Sequence, residues 1–110
     1  MGLNLSRGKA IKYYSSDRIT QIVGNGLVCL IDENTNYNNF FDDNEMVFYK
    51  NVSDLSEKII KISRDEKLRK KIARKGKAKY MKYFNSTKVA NFIINRTLGF
   101  KDKNSYLWER

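Results

Sequence analysis

The feature that most constrains this chain is Leu27-Val28-Cys29-Leu30-Ile31, an unbroken apolar run set between Gly24-Asn25-Gly26 and Asp32-Glu33-Asn34. So short a run does not make an independent helix, and without alternation it leaves no side for water; it reads as a strand buried on both faces. Such a strand needs helices above and below it, as in a parallel α/β sheet. The residues just before it supply one. Ser15 or Ser16 can cap a helix, Asp17 suits its positive end, and Ile19, Ile22 and Val23 recur at helical spacing. Gly24 and Gly26 then end that helix and turn the chain, a structural task at the end opposite to a phosphate cradle.

Ahead of this helix, residues 2–6 read as a short strand that starts without a turn or cap, as an element of something larger would, with Arg7-Gly8-Lys9 in the loop after it. Strand, helix and strand make a parallel crossover, the βαβ unit. Beyond the second strand, residues 32–39 form a polar, Asn-rich loop, residues 38–41 a single helical turn, and Met46-Val47-Phe48-Tyr49 a third strand. Ser53 is placed to cap a helix beginning at Asp54, with Leu55, Ile59 and Ile62 on one face. Asp65 starts a strongly basic helix whose inner stripe is Leu68, Ile72, Gly76, Tyr80 and Phe84. Gly76 is expected to weaken its middle by about 1 kcal/mol relative to alanine, or to divide it. Asn85-Ser86 caps a last helix, which Val89, Phe92, Ile93 and Ile94 would dock on the body, and Gly99 closes it.

The expected fold class is therefore α/β, a partial Rossmann-like parallel sheet of about three strands with helices gathered toward the C-terminus. Residues 1–98 form the domain. Residues 99–110 form a tail without a clear period, either loose or packed on an absent segment.

A chain of 110 residues has room for one modest core. No apolar run approaches the roughly 20 residues needed to cross a bilayer, and the N-terminus lacks the regions of a signal peptide, so a cytoplasmic location is expected. Cys29 is the single cysteine and histidine is absent, which removes disulfide frameworks, zinc sites and histidine acid/base chemistry from this chain; no metal or cofactor is expected. Cys29 itself reads as a small core residue.

The net charge of +10 attracts polyanions in general. Its distribution is uneven: the first 31 residues are basic, residues 32–57 acidic, and residues 58–82 hold most of the lysines. The basic helix, with Tyr80, Tyr83 and Phe84 interleaved, could bind RNA or an anionic membrane face, and a small basic module of that kind is the alternative function. A solvated helix with aromatic core contacts accounts for the same residues. Abundant Lys, Asn, Ile and Tyr also follow from an AT-rich coding sequence, so charge alone singles out no nucleic acid partner.

The start of the first helix is the best candidate for chemistry. A helix N-terminus after a strand presents free amides and a positive dipole to phosphate. Ser15 and Ser16 can donate hydroxyls there, and Arg18 can supply a fork that holds two oxygens. An ordinary serine cap with a solvated arginine explains the spacing equally well. In the preceding loop, Gly8 permits close backbone approach and Arg7 supplies charge. Gln21, one turn past Arg18, could hydrogen-bond a ribose or sugar hydroxyl, or simply face water.

The order of these features resembles the C-terminal half of group 1 glycosyltransferases, and within them the spore-maturation-type glycosyltransferase-like branch. In that branch an arginine, a glutamate three residues on and a glycine five further precede an apolar strand; Arg18, Gln21 and Gly26 hold those places. Val52-Ser53-Asp54-Leu55 and the segment Ile72-Ala73-Arg74-Lys75-Gly76-Lys77 are similar to the family's regions ahead of its terminal helices. The resemblance implies a GT-B architecture of two Rossmann-like domains, of which this chain is part of the second, and a UDP- or GDP-type nucleotide-sugar donor. It places Arg7, Gly8, Ser15, Ser16 and Arg18 near the donor diphosphate and Gln21 at the ribose. An amide holds hydroxyls less strongly than the usual carboxylate. A general base and acceptor site would belong to the N-terminal domain, so no catalytic residue is expected here, and this chain alone is expected to be inactive. The expected partners are then the donor, that domain and, peripherally, an anionic inner membrane face.

Overall fold

The computed structural model describes residues 1–5 and 8–109. Three strands, β1 (Gly2–Asn4), β2 (Cys29–Asp32) and β3 (Val47–Tyr49), form one parallel sheet in the order β1-β2-β3. Leu3 pairs in register with Leu30, and Leu30 with Val47. Between the strands and after them come α1 (Arg18–Gly24), α2 (Val52–Arg64), α3 (Glu66–Tyr83) and α4 (Ser86–Leu98). This is the α/β class with a partial Rossmann-like sheet that the sequence implies.

The central apolar run is buried throughout residues 28–31, and its alternate side chains divide the core. Cys29 and Ile31, with Phe48 and Met46, pack against Ile19, Ile22 and Val23 of α1 and against Phe41. Val28 and Leu30, with Val47 and Tyr49, pack against Ile62 of α2 and Ile72 and Ala73 of α3. Each buried aliphatic side chain contributes roughly 1.5–3 kcal/mol, so the sheet holds only while both layers are present.

The turn from α1 into β2 is a Schellman closure. Leu27 N donates to Ile22 O at 3.0 Å, Gly26 N donates to Val23 O at 3.0 Å, and Gly26 takes the left-handed φ of +74° that the motif requires.

Several local expectations are revised. Neither Ser15 nor Ser16 caps α1: Asp17 stands at the N-cap, without a side-chain cap hydrogen bond. The cap of α2 is Asn51, whose side chain accepts from Asp54 N at 2.8 Å, and the helix begins at Val52 rather than Asp54. Asn and Ser cap equally well by type; at Asn51 the cap is accompanied by the Asp54 carboxylate reaching back to accept from Lys50 N at 3.0 Å. Gly76 does not divide α3. A Cβ there would lie 2.2 Å from Glu45 O, so glycine lets the helix cross that backbone closely.

The C-terminal elements also differ from expectation. α4 has no buried residue; Ile93 and Ile94 are half-exposed, and Phe92 alone of its expected docking set turns inward. The tail packs on the chain itself. Tyr106 is buried, and Trp108 lies against Phe84 and Phe92 with ring centroids 5.6 and 5.5 Å away. Asp102 ties this corner together by accepting from Asn95 Nδ2 at 2.8 Å, from Asn104 N at 2.8 Å and from the Tyr106 hydroxyl.

Candidate functional site

At the carboxyl ends of β1 and β2 a cleft of about 500 Å³ opens between the start of α1, the loop after β2, the end of α3 and the flank of α4. Brief 3-10 turns at Glu33–Thr35 and Tyr37–Asn39 build the loop, joined by Asn36 at a left-handed φ of +59°. Asp32 sets the first turn by accepting from Asn34 N at 2.9 Å, and buried Thr35 donates to Asp32 O at 2.7 Å. The loop also fixes the approach to α1, since Tyr13 N donates to Thr35 O at 2.7 Å and Asn39 Nδ2 donates to the Tyr13 hydroxyl at 2.9 Å. The segment ahead of α1 is thus held by backbone and side chain alike.

Hydroxyls contribute to the lining of the cleft. Ser15 Oγ and the Tyr37 hydroxyl lie 2.9 Å apart, Thr20 Oγ1 and the Tyr80 hydroxyl 2.8 Å apart, and Ser16 Oγ donates to Asn4 Oδ1 at 2.8 Å. Aromatic rings line it as well: Phe40 meets Phe84 edge-on at 6.0 Å, and Phe84 stacks on Tyr80 at 5.7 Å. Burial raises the Tyr37 phenol above its usual pKa, against the opposing effect of its hydrogen bond with Ser15, so it remains a neutral donor and acceptor at neutral pH. Hydroxyls beside ring faces suit a polyhydroxylated ligand or a nucleoside.

Asn4 lies beneath this surface and is 2 % exposed. Its Nδ2 has no hydrogen-bond partner among the described residues. Its Oδ1 accepts from Ser16, so the amide is held by one end among the described residues.

The structure brings only part of the sequence-derived set together. Ser15 and Ser16 line the cleft; Arg18 and Gln21 are exposed on α1 and are not among its lining residues. Gly8 is exposed at φ +72° with open space where a Cβ would stand, so its backbone angle explains it. Arg7 lies outside the described residues. Asp17 is the one charged side chain in the lining, so any phosphate charge must be met from the rim. Sequence reasoning missed Asn4, Thr20 and Tyr37, whose roles depend on partners 12 to 60 residues away. Cys29 is buried, and that burial pushes its thiol up to about 12, which keeps it protonated and inert.

A family model described as glycosyl transferase-like matches residues 1–95. The chain belongs to the glycosyl transferase-like family. No curated protein and no solved structure matches it. The match takes in the whole sheet, α1 to α3 and most of α4. In this glycosyl transferase-like domain the cleft therefore lies within the family's own span, apart from Trp108 of the tail. Its position outside the carboxyl ends of parallel strands is where open α/β sheets receive ligands. Among the described residues no helix is long and apolar enough to cross a membrane.

Proposed function

We propose that this chain holds the nucleotide-sugar donor of a glycosyl transfer reaction, of UDP or GDP type, in the cleft at the carboxyl ends of β1 and β2. The observation that carries the reading is the convergence of Ser15, Ser16, Thr20 and Tyr37 hydroxyls on an aromatic wall, above the unpaired amide of Asn4. Ser15 and Ser16 face the diphosphate. Arg18 reaches it from the rim, with Arg7 and Gly8 approaching from the loop after β1, and Gln21 takes a ribose or sugar hydroxyl. Family membership supports a donor of this class in general.

Breaking the glycosidic bond places charge on the leaving nucleoside diphosphate, and fixed cations and amides aimed at it lower the barrier. The reading assigns that task to Arg18, Arg7 and the amides at the start of α1. Residues 1–98 form part of the C-terminal domain of a GT-B enzyme of the spore-maturation-type branch, with the acceptor site and any general base in a separate N-terminal domain. This chain alone binds donor without turning it over.

Thermal unfolding in the presence of uridine and guanosine diphosphates tests the reading. Ligand at about 100 times its Kd stabilises by about 2.7 kcal/mol, a rise of about 10 °C in Tm for a domain of this size. The rise is expected with one nucleotide and is lost in Arg18→Ala. An unchanged Tm with both nucleotides, or a full response in Arg18→Ala, refutes it. Sugar release by the chain alone would refute the proposed division of labour between domains.

A further inference from the structure

At the opposite, amino-terminal end of the strands, a groove of about 630 Å³ runs between the turn before β2 and the flank of α3. Its centre is aliphatic: Leu27 and Met81, each 45 % exposed, stand beside Ala73 and Ala78. Arg69, Lys70, Arg74 and Lys77 surround that centre, and no carboxylate lines the groove. Two of these cations are occupied within the fold. The Arg69 guanidinium donates to Ile62 O at 3.1 Å and Ser63 O at 3.0 Å, and Lys70 pairs with Glu66, the only carboxylate in α3, at 2.6 Å. Arg74 and Lys77 are exposed and form no ion pair among the described residues.

We propose that this face docks on an anionic lipid bilayer. Arg74 and Lys77 meet the lipid phosphates, while Leu27 and Met81 enter the boundary between headgroups and acyl chains. A ring of cations around exposed aliphatic side chains is complementary to such a surface in both charge and polarity. A nucleic acid fits less well. No aromatic ring lines the groove to stack a base, and contact with a polyanion in water leaves Leu27 and Met81 without an apolar partner. Docking at the amino ends of the strands leaves the cleft of Ser15 and Ser16 open to solvent, so vesicle and nucleotide binding are independent.

Flotation with lipid vesicles tests the proposal. The full chain is expected to float with vesicles of phosphatidylcholine containing about one third phosphatidylglycerol, not with phosphatidylcholine alone, and to be released as salt rises. Reversing charge in the Arg74→Glu, Lys77→Glu double variant is expected to lower the partition coefficient at least about tenfold. The Leu27→Ser, Met81→Ser double variant is also expected to bind several-fold more weakly, which charge attraction alone does not predict. Each altered residue is exposed, and an unchanged Tm for both variants verifies that the fold is kept. Failure to float with the anionic vesicles, or equal flotation of either double variant, overturns the proposal. Undiminished flotation of the Leu27→Ser, Met81→Ser variant together with tight capture of single-stranded RNA would instead assign the face to nucleic acid.

Discussion

Ser16 donates a 2.8 Å hydrogen bond to Asn4 Oδ1, joining the end of the first strand to the approach of the first helix and leaving Asn4 Nδ2 buried without a partner among the described residues. The pair ties β1 to the lining of the cleft. Replacing Asn4 by Leu, close to it in size, removes the amide and its bond with Ser16. Stability is expected to stay within about 1 kcal/mol of the parent by urea unfolding, while nucleotide affinity falls about tenfold. A loss of several kcal/mol with unchanged affinity would make the amide purely structural.

Gly76 allows α3 to cross the backbone at Glu45, whose side chain also accepts a 2.8 Å ion pair from Lys79. Alanine ordinarily favours a helix by about 1 kcal/mol over glycine. Here the added methyl meets a carbonyl oxygen at 2.2 Å, so Gly76→Ala is expected to destabilise by about 1–3 kcal/mol. A gain in urea midpoint would contradict the close crossing.

Asp102 holds the tail against α4. The Tyr106 hydroxyl, and then Asn104 N and Asn95 Nδ2, hydrogen-bond its carboxylate and hold its pKa down to about 2. Unfolded, the carboxyl titrates near about 3.9, so its contribution is complete above that value and is lost as pH falls toward 2. Fluorescence of Trp108, the only tryptophan, reads this corner directly. The signal is expected to hold from neutral pH to about pH 4 and to change below it, with the step reduced in Asp102→Asn. An identical acid profile in that variant would remove Asp102 from the account.

Cys29 lies in the buried strand with its thiol pushed up to about 12. It is expected to resist a thiol-specific reagent at pH 8 in the native state and to react fully in denaturant. Rapid labelling of the native chain would mean that β2 opens locally.

The sheet was legible because its signals are local. The unbroken run at residues 27–31 announced a strand covered on both sides, though β2 is Cys29–Asp32 and Leu27 stays 45 % exposed in the turn before it; Gly26 announced that left-handed turn. The caps were legible only as residue types: Asn51 and Ser53 are equivalent by propensity, and the return bond from Lys50 N to Asp54 that accompanies the Asn51 cap is not visible in spacing. The apolar pattern of α4 promised burial, yet Ile93 and Ile94 stay half-exposed while Tyr106 and Trp108 of the tail take the inward places beside Phe92. The candidate site was half legible. Ser15 and Ser16 follow from position ahead of a helix, whereas Asn4, Tyr37 and Tyr80 reach the cleft through contacts that no local spacing encodes.

The central claim is that the cleft at the carboxyl ends of the strands binds a nucleoside diphosphate. Amide chemical shifts of the labelled chain, followed as UDP and GDP are added in turn, test it most directly. The account predicts saturable changes with one nucleotide at residues 15–21 and at Tyr37 and Tyr80, abolished in Arg18→Ala. Shifts confined to α2 or to the lysines of α3, or no shifts at millimolar nucleotide, would contradict it.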